Sequence, residues 1–92
     1  MTQQNLLIIR GVITRKYDRT RKNKDGNEEA YNAIVIEWED YNHYKKCIFL
    51  DCKGVIPEEM GDRVKADCYV TSFETKTGNF FTKIFASNVS KE

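Results

Sequence analysis

The stretch Arg63-Val64-Lys65-Ala66-Asp67-Cys68-Tyr69-Val70-Thr71-Ser72-Phe73-Glu74-Thr75, continued by Lys76-Thr77-Gly78-Asn79 and Phe80-Phe81-Thr82-Lys83-Ile84-Phe85-Ala86, carries the pattern from which the fold is read. Val64, Ala66, Cys68 and Val70 alternate with Lys65, Asp67, Tyr69, Thr71 and Phe73. Successive side chains of a strand point to opposite faces, so this period of two assigns the first set to an interior and the second to the outside. The residues that follow, Lys76-Thr77-Gly78-Asn79, read as a hairpin loop. The alternation then resumes: Phe80, Thr82, Ile84 and Ala86 share one face, and Phe81, Lys83 and Phe85 share the other. The segment reads as a hairpin of two long strands.

The same reading extends to the rest of the chain. A first strand is expected over about Asn5 to Tyr17, then a polar loop over Asp18 to Glu29 that contains the turn dipeptide Asp25-Gly26. A second strand over about Ala30 to Glu39 carries Ile34, Val35, Ile36 and Trp38, and Asp40 to His43 forms a turn. The third strand, Tyr44 to Asp51, places Cys47 and Phe49 on the inward face and Tyr44, Lys46, Ile48 and Leu50 on the other. Lys53 to Asp62 breaks the pattern. Ile56-Pro57-Glu58-Glu59-Met60 predicts one helical turn with proline at its first position, ended by Gly61-Asp62. The fifth strand runs from Phe80 to Val89.

With 92 residues, one proline, and no repeat or low-complexity segment, the chain is expected to form one domain over residues 1–92. Five strands in an open sheet would leave apolar edges free to pair with other chains, and closure removes them. The expected class is therefore all-β, a five-stranded OB-fold barrel with a short helical turn between strands 3 and 4. An SH3-like barrel is the rival; the long basic hairpin and the position of the connector favour the OB-fold.

Several function classes are disfavoured. The longest apolar run, Leu6-Leu7-Ile8-Ile9, is far short of the roughly 18 residues of a membrane span. No membrane partner is expected, and the expected location is cytoplasmic. Cys47, Cys52 and Cys68 are an odd number of cysteines without zinc-ligand spacing, which suits reduced thiols with at least one in the core. His43 is the only histidine, and no motif supplies an oriented base and nucleophile or a glycine-rich phosphate loop. No enzymatic activity, catalytic residue, metal or cofactor is expected.

The net charge of +1 conceals an asymmetry. Arg10, Arg15, Lys16, Arg19, Arg21, Lys22 and Lys24 lie in one stretch with a single acid, Asp18. Such a concentration points to a polyanionic partner. Rings accompany it on faces read as outward: Trp38, Tyr44, Tyr69, Phe73, Phe81 and Phe85, with Lys46 beside Tyr44 and Lys83 between Phe81 and Phe85. Cations that follow a phosphate backbone, together with rings that stack on bases, are how single strands are bound. The competing reading places these rings in the core or in subunit contacts. Leu6 to Ile9 is apolar on both faces of one strand, and only one face can point into a barrel, so a symmetric homodimer at least is expected through this segment. A protein-interaction module and an RNA-binding module are the alternatives to single-stranded DNA binding.

Three segments also carry a family resemblance: Leu7-Ile8-Ile9-Arg10-Gly11-Val12-Ile13, Tyr44-Lys45-Lys46-Cys47-Ile48-Phe49-Leu50, and Gly61 to Ala66 continuing through Gly78 to Ile84. In their order and spacing the chain resembles the bacterial single-stranded DNA-binding proteins. It is more closely similar to a branch of small OB-fold proteins of bacteria and phage. The resemblance implies DNA contacts at Tyr44 and Lys46, at Phe73 and, more loosely, at Trp38, with the Arg15–Lys24 segment on the backbone. It also implies pairing through the first strand, Leu6 to Ile9, into a homodimer or homotetramer. Family members end in a flexible tail with an acidic tip that recruits replication and repair enzymes. This sequence ends at Ser90-Lys91-Glu92, so the expectation is a protein that coats or senses nucleic acid without that recruitment, as in replication restart or a phage accessory role.

Overall fold

A computed structural model describes residues 6–92, so Asn5, at the expected start of the first strand, lies outside the described residues. Five strands form: β1 (Leu6–Lys22), β2 (Glu28–Glu39), β3 (Lys45–Cys52), β4 (Arg63–Glu74) and β5 (Phe80–Lys91). They close into a barrel in the order β1-β2-β3-β5-β4, with β4 returning to β1. Every pairing is antiparallel except the short one between β3 and β5, where Asp51 and Cys52 lie beside Phe85 and Ala86. The hairpin read from residues 63–86 is present, with Phe73 opposite Phe81.

Closure depends on β1. At about 3.3 Å per residue its 17 residues would span more than 50 Å if straight, whereas the longest dimension of the molecule is 40 Å. The strand therefore bends, and it divides its partners: Leu6 to Val12 pair with β4, and Val12 to Lys22 pair with β2. The bend has two local causes. Thr14 is an extra residue in the β1–β2 register, a bulge that increases twist. Gly11, three residues earlier, lets β2 approach closely, since a Cβ there would collide with the Glu37 carbonyl oxygen and meet a methyl of Ile36 at 2.7 Å.

The interior is aliphatic and small: Ile13, Ile34, Ile36, Leu50, Cys52, Val64, Ala66, Cys68 and Ala86 are buried as one cluster. In β4 Val64, Ala66 and Cys68 are buried as the alternation predicts, whereas Val70 is only half-buried. In β3 it is the reverse of the expectation: Leu50 and Cys52 are buried and Ile48 packs on the core, while Cys47 and Phe49 are exposed. The cause is the pairing with β2, where Ile34 lies opposite Leu50 and Ile36 opposite Ile48, so the aliphatic rows of the two strands meet inside. Burial pushes the thiols of Cys52 and Cys68 up to about 11.

Two further expectations are corrected. The residues between β3 and β4 form turns and bends with no helical turn. Their backbone groups are committed to the barrel instead. Gly54 and Ile56 bond Asn32, Lys53 N–H donates to Ala86, Gly61 N–H donates to Ile13, and Ile13 N–H donates to Asp62. The segment ends in a turn in which Asp62 N–H donates to Glu59 and Gly61 takes φ +93°. Asn32, the one buried polar residue among those described, anchors it: Oδ1 accepts from Ile56 N–H at 2.8 Å, and Nδ2 donates to Asp18 and to Tyr17.

The expected loop over Asp18 to Glu29 is mostly strand. Asp18 to Lys22 continue β1 as a ribbon against β2, with Arg19 opposite Tyr31, Arg21 opposite Glu29 and Lys22 opposite Glu28. Opposite charges facing across a ladder stabilise a polar ribbon that composition alone assigns to a loop. The turn is reduced to Asn23–Asn27, where the Asn23 side chain accepts from the N–H groups of Asp25 and Asn27.

Replacing Gly11 with Ala is expected to destabilise the fold by about 1–3 kcal/mol, because the added methyl meets backbone that cannot yield without moving β2. A urea melt with an unchanged midpoint would show that the bend does not require a bare backbone there.

Candidate nucleic-acid interface

None of the fully buried hydrophobic side chains is aromatic. The barrel is filled by Ile, Val, Leu, Ala and Cys, and most of the rings lie on its surface. Tyr17, Tyr44, Phe49, Phe73, Phe80 and Phe81 are all exposed. Water contact with surface rings in this number is unfavourable, and the core does not need them.

The densest group lies on the outer face of β1, β2 and β3. Arg15, Tyr17, Arg19 and Arg21 alternate along β1 and stand opposite Val35, Ala33, Tyr31 and Glu29 of β2. Phe49 of β3 stands opposite Val35. The rings of Tyr17 and Phe49 lie 6.3 Å apart at 45°. The guanidinium of Arg19 lies 5.8 Å from the centre of the first and 5.4 Å from the second. That of Arg21 lies 4.8 Å from the Tyr31 ring. Each such contact contributes about 0.5–1 kcal/mol at an exposed site and holds the cation in place without neutralising it. Tyr17 also raises the pKa of the Arg15 guanidinium.

The cations differ in what they are free to do. Among the described residues, Arg15, Arg19, Lys22 and Lys24 form no ion pair. Arg21 donates to the Lys53 carbonyl at 2.8 Å and lies 3.9 Å from Glu29. Lys16 stands opposite Ile34 on the other face of β1; its ammonium donates to the Ile56 carbonyl at 3.0 Å and to Glu59 at 3.2 Å. Lys16 therefore secures the connector and does not join the outer face.

The outer face continues around the barrel. Phe85 of β5 lies beside Asp51 of β3 and opposite Tyr69 of β4. Lys83 lies 5.8 Å from the Phe85 ring, and Phe73 and Phe81 pair at 5.8 Å farther along the same hairpin. A groove of about 280 Å³ lined by Arg21, Lys53, Tyr69, Phe85 and Ser87 joins the basic ribbon to this hairpin.

Trp38, Tyr44 and Lys46 are placed elsewhere. Trp38 continues the inward row of Ile34 and Ile36 and packs on the core at the barrel end, which corrects its assignment to an outward face. Tyr44 precedes β3, with the Lys46 ammonium 5.9 Å from its ring and 3.9 Å from Asp40. Trp38 lies seven positions beyond Tyr31 in β2, about 23 Å along a strand. The structure thus divides the expected residues between two ends of the barrel.

Tyr17, Tyr31, Phe49 and Lys53 belong to the outer face but were not among the residues expected there. The alternation Arg15-Tyr17-Arg19-Arg21 is a signal for it, but it crosses Tyr17, the expected end of the first strand. Ile48-Leu50-Cys52 likewise continues past the expected end of β3 at Asp51 and would have turned Phe49 outward. Among the described residues, no cluster of His, Cys, Asp and Glu could hold a metal ion. No helix there is long and apolar enough to cross a membrane. No protein-family model matches the chain, and no curated protein matches it.

If Phe49 belongs to the surface, Phe49→Ala should cost only about 1 kcal/mol of stability, in proportion to its half-buried ring. Leu50→Ala should cost about 2–5 kcal/mol. The reverse order in paired denaturant melts would restore Phe49 to the core.

Proposed function

We propose that this chain is a non-catalytic, cytoplasmic OB-fold protein that binds single-stranded DNA, largely without sequence preference, in replication, recombination or repair. The observation that carries this reading is the Arg19 guanidinium held between the exposed rings of Tyr17 and Phe49, with Arg21 on Tyr31 beside it. Such a surface offers a strand both of its needs, a fixed cation for phosphate and a flat ring for a base. The strand order and the placement of the cluster agree with the OB-fold, whose face on strands 2 and 3, flanked by the β1–β2 and β4–β5 loops, receives oligonucleotides.

The test is a titration of the purified protein with oligo-dT, oligo-rU and duplex at two salt concentrations. Oligo-dT is expected to bind tightest and duplex weakly, since stacking requires splayed bases. Arg19→Ala with Arg21→Ala should flatten the logarithmic salt slope by about 1.4 for two lost phosphate contacts on a single strand. Phe49→Ala should cost about 1–3 kcal/mol of affinity. Equal affinity for duplex, or an unchanged slope, would defeat the reading; tighter binding of oligo-rU would favour the RNA-binding alternative.

The assembly we propose is a homodimer, or a tetramer built from it, through Leu6 to Ile9. Leu6 and Ile8 face outward and are exposed, whereas Ile9 packs on the core. Residues 6–11 pair with β4 on one edge only among the described residues, which leaves an open edge next to apolar side chains. Sedimentation at high micromolar concentration should give a multiple of the 10.8 kDa chain mass, and Ile8→Asp should return it to one chain. A monomer before mutation would sink this assembly.

A further inference from the structure

Two grooves on the outer surface of the barrel share a wall. One is the groove of about 280 Å³ beside Phe85, which carries Arg21 and Lys53. The other, of about 400 Å³, is lined by Leu6, Leu7, Ile8, Asp67, Tyr69 and Ser87. Tyr69 and Ser87 belong to both. The register accounts for this. Leu6 of β1, Tyr69 of β4 and Phe85 of β5 are cross-strand partners and form one outward row. Ser87 is the extra residue of β5 at the bulge beside Asp67 and Cys68, and its hydroxyl donates to the Asp67 carbonyl at 3.0 Å.

The second groove does not suit a nucleic acid. No cation lines it, and its one charged residue, Asp67, repels phosphate. Its walls Leu6 and Ile8 are 62% and 56% exposed. It borders the edge of residues 6–11, which is unpaired among the described residues. Apolar side chains beside a free strand edge suit a second copy of the chain. Edge-to-edge pairing satisfies the backbone groups of both copies and covers the side chains of both at once.

We propose that a second copy seated on Leu6 and Ile8 completes the strand-binding groove through Tyr69, so that assembly and single-strand binding reinforce each other; this rests on the binding and pairing proposed above. The Tyr69 ring is half-buried, with Phe85 on one side and, on the other, Leu6, whose outer surface is open. A protein surface laid over Leu6 fixes the ring from that side. A base stacked at Phe85 and Tyr69 fixes it from the other. Whichever arrives first must order the ring, and the second finds it already ordered, which makes the coupling favourable. Such coupling is reciprocal: the factor by which a second copy tightens strand binding is the factor by which each bound strand tightens pairing.

The experiment uses oligo-dT of about six nucleotides, at the short end of the span of one such domain, so that one strand engages one groove. Its affinity is measured by fluorescence anisotropy for the wild type above and below the concentration at which sedimentation shows the pair dissociating, and for Ile8→Asp. The paired protein is expected to bind about tenfold tighter than the dissociated wild type, and Ile8→Asp should match the latter. Saturating oligo-dT should strengthen pairing in sedimentation. In a Tyr69→Ala background the paired and dissociated forms should bind alike, because the shared wall is gone. Equal affinity of the paired and dissociated wild type, or pairing indifferent to the oligonucleotide, would overturn the inference and leave the proposed function standing. So would a tenfold difference that survives Tyr69→Ala. Should Ile8→Asp fail to fold, the dilution series of the wild type alone decides. A wild type that is monomeric throughout would overturn the inference together with the proposed assembly. Failure to bind any single strand would overturn the proposed function as well.

Discussion

The close approach of Gly11 to the backbone of β2 is the constraint on which the barrel depends. A single strand must serve two neighbours, β4 along its first part and β2 along its second, and it can do so only by bending where the two pairings meet. The bare Cα of Gly11 beneath the Glu37 carbonyl and the extra residue at Thr14 provide that bend. With β1 bent, β4 and β2 are brought onto one closed surface. β5 then needs only the short parallel contact with β3 to complete it.

A narrow barrel also settles where the rings can go. Its interior accepts Ile13, Ile34, Leu50, Val64 and residues as small as Ala66 and Ala86, so bulky aromatic side chains are displaced to the rim and the outside. That displacement is costly for a monomer in water, and it is offset where rings contact one another or a cation. Tyr17 with Phe49 and Arg19, Tyr31 with Arg21, and Phe73 with Phe81 are all such arrangements. The proposed binding face is in this sense a consequence of how the core is filled.

Electrostatics divide the basic stretch in the same way. Seven cations that look equivalent in the sequence have distinct tasks once the strand alternates. Arg10 pairs with Glu92 at the chain end, Lys16 ties down the connector, and Arg15 and Arg19 remain on the outer face beside rings. At the connector's end Asp62 is held below the ordinary carboxylate range, first by the Glu59 N–H and then by Lys91.

Strand count, the β4–β5 hairpin with its inward row Val64, Ala66 and Cys68, and the presence of a basic and aromatic surface were legible in the sequence. Each rests on local alternation and composition, which need no knowledge of neighbours. The face of β3 was not legible: Cys47-Ile48-Phe49-Leu50 is apolar at every position, so period two leaves both registers open. Only pairing with Ile34 and Ile36 turned Leu50 in and Phe49 out. The polar ribbon from Asp18 to Lys22 reads as loop because its stabilisation comes from Glu28, Glu29 and Tyr31 across the ladder. The helical turn at Ile56–Met60 fails because the backbone of Ile56 finds its partners in the side chains of Asn32 and Lys16, far away in sequence. Local pattern thus establishes that strands form and which surfaces are polar. Which residues share a face, and therefore which cations meet which rings, was decided by register and closure, because those depend on contacts between segments that no local pattern encodes.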